Sequence, residues 1–306
     1  MPGNRQSILP ASWQTSYGKA AWWERIAAAS HSALILDYDG TLAPFTEDRM
    51  DALPYPGVED RIARLLALPN VSLVLVTGRS WPEINSLYPQ AREMEVWASH
   101  GREHATRGSD YEFTALTGQQ KAILNEAMGG LASAALPASA IERKPASIAI
   151  HWRGLERDEQ ELVRKKVLKR FDQHTAGGQV ELLPFEDGVE LRATGRTKGD
   201  AVRTVRERFG AQVPLAYLGD DHTDEEAFAE MDREDLALLV RAAPRGTLAD
   251  YWMTTPRDVL AFLDRWIFEA ESGYRSSDPD MTSLRPRPAE PVNSSVGDAP
   301  VESLSA

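Results

Sequence analysis

The chain has 306 residues, 42 % hydrophobic and 26 % charged, a usage that fits one large or two modest folded domains and excludes collagen-like, coiled-coil and wholly disordered classes. A formal charge of -12 argues against a basic nucleic-acid footprint and against adhesion to an anionic membrane, while leaving room for a small anionic substrate held by a few local groups. The absence of cysteine excludes disulfides, thiol catalysis and cysteine-ligated zinc.

The opening residues, M-P-G-N-R-Q-S-I-L-P, lack the charged start and apolar centre of a signal peptide, and no run of about twenty apolar residues occurs. A cytoplasmic location with no membrane or nucleic-acid partner is the expectation; protein partners are left open. Residues 18 to 30 read as a helix, with Trp22 and Trp23 as packing residues, leading into a strand from Ala33 to Leu36. After a loop over Thr46 to Pro56, the apolar positions Val58, Ile62, Leu65 and Leu66 predict a helix over Val58 to Leu68, followed by an aliphatic strand from Val71 to Val76. The same rhythm returns later, with a helix over Gly199 to Phe209, a strand from Leu215, a helix over Asp224 to Met231 and a strand over Leu236 to Val240.

Between these halves the pattern changes to alternating strands, Ala146 to Arg153 and Gln179 to Phe185, with helices over Gly118 to Ser133 and Glu156 to His174. The predicted fold is therefore α/β: a Rossmann-like parallel-sheet core over 31–105 and 189–270, interrupted by a small α/β domain over 106–188 with antiparallel strands. Residues 1–30 form an N-terminal helical extension. Residues 271–306, rich in Ser, Pro, Asp and Arg, are expected to form a disordered tail.

In open parallel sheets, functional groups sit beyond the carboxyl ends of the strands. Three apolar strands here end in polar text: Asp37-Tyr38-Asp39-Gly40-Thr41, Thr77-Gly78-Arg79, and Gly219-Asp220-Asp221-His222-Thr223-Asp224. If the strands are neighbours, these carboxylates and hydroxyls converge and supply the oxygen ligands a hard cation such as Mg²⁺ prefers. Asp37 can attack phosphorus and Asp39 can serve as acid and then base. Gly40 permits a tight turn, Thr41 and the Thr77-Gly78 turn face the phosphate, and Lys198, at the start of a helix, supplies a compact positive charge. Asp224 reads equally as a helix cap and as a metal ligand.

As a set, Asp37-x-Asp39-Gly-Thr, Thr77, Lys198 and Gly-Asp220-Asp221-x-x-Asp224 resemble the four motifs of the haloacid dehalogenase (HAD) superfamily over about Leu34 to Val240. The resemblance implies a HAD-type core with a C2-type cap, and the acid at Asp39 points to a phosphatase or mutase. It further implies a metal site of Asp37, Asp39 through its main-chain carbonyl, and Asp220, with Asp224 beside them. Three more stretches, Ser99 to Glu103, Glu142 to Arg153 and Val189 to Gly199, resemble the trehalose-6-phosphate phosphatase family. That resemblance implies a Mg²⁺-dependent hydrolysis of a sugar phosphate in which Glu142, Lys144 and Glu190 bind sugar hydroxyls and His100, Gly101 and Arg102 line the core side. His151-Trp152-Arg153 departs from the family's usual H-Y-R. The alternatives are another capped sugar-phosphate phosphatase, acting on sucrose-phosphate or a glycosyl-phosphoglycerate, and a non-catalytic sensor on the same fold. The presence of Asp37, Asp39, Lys198 and Asp220 favours an enzyme.

Overall fold

The structure is a computed structural model that describes residues 9–13, 19–108, 111–131, 136, 140–152, 154–185 and 188–277. Its strands are β1 (Ala11–Ser12), β2 (Ser32–Leu36), β3 (Val71–Val76), β4 (Glu95–Ala98), β5 (Glu103–Ala105), β6 (Tyr111–Phe113), β7 (Ile141–Lys144), β8 (Ser147–His151), β9 (Val180–Phe185), β10 (Gly188–Ala193), β11 (Leu215–Gly219), β12 (Leu236–Val240) and β13 (Tyr251–Met253). The α-helices are α1 (Lys19–Ala28), α2 (Val58–Ala67), α3 (Trp81–Leu87), α4 (Gly118–Leu131), α5 (Arg157–Thr175), α6 (Lys198–Phe209), α7 (Asp224–Ala229) and α8 (Arg257–Ser277).

Nine strands form one sheet in the order β1-β13-β12-β11-β2-β3-β4-β5-β6. Pairing is parallel from β1 to β4, and β5 and β6 extend that edge antiparallel. Strand β2 explains why the sheet carries helices on both faces. Its five residues are all buried, and by the two-residue period Leu34 and Leu36 enter one apolar cluster with Ile62 of α2 and Trp266 of α8. Ala33 and Ile35 enter a second cluster with Val202 of α6 and Phe228 of α7. Because β2 lies between β3 and β11, the three strand ends at Leu36, Val76 and Gly219 are adjacent, and the polar segments that follow them emerge side by side.

The second sheet is antiparallel, in the order β7-β8-β10-β9. On β10, Val189, Leu191 and Ala193 pack with Leu124 of α4 and Phe171 of α5, while Glu190 and Arg192 point to the opposite face. Register places Glu142, Ala149, Glu190 and Leu183 in one row across that face.

Three expected boundaries are corrected. The segment over 106–113 belongs to the nine-stranded sheet, since β6 pairs with β5, and the second sheet persists to Ala193 through the pairing of β10 with β8 and β9. The inserted unit defined by pairing therefore runs from about 118 to 193 instead of 106 to 188. Residues 271–277 are helical, and Gly273 of α8 comes so close to α1 that a Cβ there would lie 2.4 Å from the Ala27 carbonyl oxygen. The rest of the expected tail, 278–306, lies outside the described residues. The N-terminal extension is not only helical: β1 pairs with β13, and Trp13 packs edge-on to Trp23, Tyr251 and Phe262.

Candidate active site

Lys198 is the first residue of α6, and a reciprocal cap fixes that start. Thr197 donates its amide to Asp200 at 2.9 Å, and Asp200 returns its own amide to the Thr197 hydroxyl at 3.3 Å. The buried ammonium donates to Asp37 Oδ1 and to Asp224 Oδ1, both at 2.8 Å. Burial works against its charge, yet Asp224 and Asp37 hold its pKa above the ordinary lysine value. For Asp37 burial dominates and pushes the pKa up, Lys198 opposes it, and Asp224 adds repulsion. Burial, followed by Asp37 and Asp224, likewise holds Asp220 well above the usual carboxylate range.

Asp224 is fully committed within the protein. Its Oδ1 also accepts from the Tyr217 hydroxyl at 2.6 Å, and its Oδ2 accepts from the amides of Asp220 and Asp221, each at 2.9 Å. It is fully buried and stands behind the cleft, not in its lining. Both halves of the sequence reading thus meet in one residue: it caps the turn and it belongs to the carboxylate cluster.

That cluster suits a metal ion. Asp37, Asp220 and Asp224 offer oxygens that all lie within 4.8 Å of one another, with a single ammonium among them. Repulsion already visible in the raised pKa values of Asp37 and Asp220 would be relieved by a small hard cation with oxygen ligands.

Three glycines make the close approach of these segments possible. A Cβ at Gly40, whose φ is +75°, would lie 2.1 Å from Asp220 Oδ2. One at Gly219 would lie 2.3 Å from the Asp224 Cγ, and one at Gly78 would lie 2.6 Å from the His100 ring.

Asp39 is about a quarter exposed and is gripped by both arms of Arg79, at 2.7 and 2.8 Å, with the guanidinium also stacked 5.6 Å over the Tyr38 ring. The amides of Gly40 and Thr41 are bonded inside their own turn, to Ala43 and Tyr38 carbonyls. Thr77 is buried, and its hydroxyl accepts from the Arg79 amide at 3.1 Å. Of the expected phosphate contacts, the cleft lining therefore includes Gly78 and Lys198 but not Gly40, Thr41 or Thr77.

The cleft encloses about 650 Å³ between the ends of β2, β3 and β11 and the open face of the second sheet. Glu142, Lys144, Glu190 and His100 all line it. Lys144 Nζ lies 3.1 Å from Glu190 Oε2 and 3.9 Å from Glu142 Oε1, and His100 Nε2 lies 3.4 Å from Glu190. Burial would raise Glu190, but Lys144 and His100 hold it well below the usual range. Burial also lowers His100, so its imidazole is neutral near pH 7. Neither ring nitrogen of His100 has a well-aligned hydrogen bond, and its backbone sits in the left-handed region at φ +55°.

Two expected substrate residues are elsewhere. Arg102 donates to the carbonyls of Thr114, Ala193 and Thr194, clamping the chain where it enters and leaves the second sheet. Gly101 packs on the backbone of Thr197, where a Cβ would meet the carbonyl oxygen at 2.4 Å, and so helps seat Lys198. Among the lining residues the sequence reading left unassigned, four are ionisable side chains close to the site. Arg79 stood in the quoted T-G-R turn, and Asp221 in the quoted G-D-D, but neither was assigned. Arg49 carried no local signal at all. His151, set aside because its facing was ambiguous, donates from Nε2 to Glu142 Oε2 at 2.8 Å.

The family model for trehalose-phosphatase matches residues 35–251, most of the chain. The chain belongs to the trehalose-phosphatase family. Among relatives, it is 27% identical over 244 residues to a bifunctional trehalose-6-phosphate synthase/phosphatase of Thermoproteus tenax, a match covering 78% of this chain but only 32% of that protein. It is 26% identical over 287 residues to a trehalose-phosphate phosphatase of Mycolicibacterium paratuberculosis, covering 88% of this chain and 69% of the relative. Among solved structures, the C-terminal domain of the Candida albicans trehalose-6-phosphate phosphatase superposes with a TM-score of 0.72 at 20% identity, covering 86% of this chain and 99% of that one, which establishes a shared HAD-like fold.

Proposed function

We propose that the protein hydrolyses trehalose 6-phosphate to trehalose and inorganic phosphate through an aspartyl-phosphate on Asp37, with Mg²⁺ at the carboxylate cluster. The observation that carries the reading is the Lys198 ammonium held between Asp37 and Asp224 at the floor of a cleft roofed by Glu142, Lys144 and Glu190. The family membership and the names of the relatives give the substrate its support.

Asp37, Asp220 and the main-chain carbonyl of Asp39 would hold the metal, with Asp224 orienting Lys198 and the Asp220–Asp221 backbone behind it. When bound, Mg²⁺ supplies positive charge against the phosphoryl oxygens and the attacking carboxylate. Asp37 attacks phosphorus; the bond to the sugar oxygen breaks, and Asp39 gives that oxygen a proton. Asp39 then takes a proton from the incoming water, whose oxygen bonds to phosphorus as the Asp37–phosphorus bond breaks. Lys198 balances charge on Asp37 and the transferring group. Arg79 holds Asp39 in a two-pronged ion pair, so Asp39 must leave this fork to reach the leaving oxygen. Glu142, Lys144, Glu190 and His100 accept from and donate to sugar hydroxyls, and the insert over 118–193 acts as the cap that excludes water.

The test is phosphate release from trehalose 6-phosphate, sucrose 6-phosphate, glucose 6-phosphate and glucosyl-phosphoglycerate, each with Mg²⁺ and with EDTA. A metal-dependent preference for the first is expected. Preference for another ester would keep the chemistry and refute the substrate, and no turnover on any would refute the enzyme.

A further inference from the structure

One cation at the cleft is used neither by the phosphate floor nor by the sugar-binding set. Arg49 opens a single 3-10 turn in the loop between β2 and α2, and Asp48 holds that turn by accepting the Met50 amide at 2.9 Å. The guanidinium leaves the loop and pairs with Glu83 of α3 at 2.5 Å and with Glu142 of β7. Glu83 is itself fixed in place by the Ser80 amide and hydroxyl, at 3.1 and 2.7 Å. A single side chain thus joins a carboxylate of the nine-stranded sheet's helices to one on the second sheet, across the cleft.

The contact is built for exchange. Arg49 is 39% exposed, and water screens an ion pair on its open side, so the contact is too weak to lock two sheets together. Glu142 is buried and Glu83 half-buried, and the oxygen each turns toward Arg49 has no well-aligned hydrogen bond. Arg49 also lies within the electrostatic reach of Asp39 and Arg79, which places it between the acid that faces the leaving oxygen and the carboxylates that face the sugar. A guanidinium there, with five donors and acceptor oxygens around it, fits a ligand rich in hydroxyls.

Resting on the function proposed above, we infer that Arg49 is a further specificity-determining residue: it exchanges its pairing with the second sheet for donation to hydroxyls of the leaving sugar when substrate binds, so that sugar recognition and closure of the second sheet share one side chain.

The experiment measures kcat and KM for trehalose 6-phosphate and for p-nitrophenyl phosphate, an ester without sugar hydroxyls, with Mg²⁺, on wild type, Arg49→Ala and Arg49→Lys, with thermal unfolding of each. Charge-assisted hydrogen bonds of this kind correspond to about a tenfold to hundredfold loss. The expected result is such a loss in kcat/KM on the sugar ester for Arg49→Ala, carried mainly by KM and exceeding the loss on the aryl ester at least tenfold. Arg49→Lys should recover only part, because a point charge lacks the planar fork. Equal losses on both esters, or sugar-ester kinetics unchanged by Arg49→Ala, would overturn the inference while the function stands. Wild type active on the aryl ester alone would overturn the substrate and the inference together.

Discussion

Asp37 and Asp39 stand two residues apart yet live in different surroundings, one sealed against Lys198 and the other a quarter exposed in the grip of Arg79. Asp37→Asn keeps the volume and removes the proposed nucleophile, so phosphate release should fall by about a thousandfold or more while the fold persists. Circular dichroism and Tm would separate this result from unfolding. The raised pKa of Asp37 has a sign that can be tested in EDTA. The folded state keeps a proton that the unfolded chain, with an ordinary aspartate pKa of 3.8, has already released, so this contribution is full at low pH and is lost as pH rises through the folded value. Wild type without metal should lose Tm over that rise, and Asp37→Asn should show a shallower slope; parallel slopes would refute the assignment. Residue positions were legible in the sequence where a motif fixed both identity and place, as at Asp37, Lys198 and Asp220, which the structure brings together. Arg102 and Gly101 were misplaced because their duty is to backbone carbonyls of Ala193, Thr194 and Thr197, and no sequence pattern names a carbonyl.

At the scale of elements, the reciprocal Thr197–Asp200 cap does more than start a helix, because Lys198 is the next residue. Thr197→Ala should lower stability by about 1 kcal/mol, read from denaturant unfolding, and lower kcat by more than that loss of folded protein explains. Phe171 on α5 is fully buried beneath β10 in the second sheet's core. Phe171→Ala should cost about 3–5 kcal/mol and reduce turnover of the sugar ester more than that of p-nitrophenyl phosphate, since the catalytic floor belongs to the other sheet. The central strands were readable because strands buried on both faces are continuous apolar runs, as in Leu34 to Leu36 or Leu236 to Val240. Strands β4 to β6 were not, being three or four residues long and interrupted by Glu95, Glu103 and His104. Helix α8 had a readable stripe in Val259, Phe262, Leu263, Trp266 and Ile267, but the reading stopped at β12. Its extension past 271 depends on Gly273 meeting α1, a contact invisible in the local composition.

For the whole molecule, the second sheet is tied to the core on two sides. Arg49 reaches Glu142 at the cleft, while buried Arg192 of β10 bridges Glu181 of β9 and Glu226 of α7, the helix that begins at Asp224. Such pairings join distant stretches of chain and have no period to betray them, which is why the cleft's upper wall was only half legible. The crowded carboxylates beneath it give a global prediction. EDTA should abolish turnover, and Mg²⁺ with phosphate should raise Tm by several degrees over the metal-free protein, because ligands that bind only the native state stabilise it. An unchanged Tm and full activity in EDTA would count against the metal site.

The glycines at 40, 78 and 219 carry a constraint on how this chain can diverge. Where bare backbone is pressed on Asp220, His100 and Asp224 in and behind the cleft, there is no side chain to lengthen, trim or recharge by gradual drift. Any first step away from glycine collides with the chemistry itself. Variation in what the cleft accepts is therefore left to side chains that line it away from those glycines: Arg49 in the loop after β2, and Glu142, Lys144 and Glu190 on a sheet that can exchange one alternating side chain for another without disturbing its core.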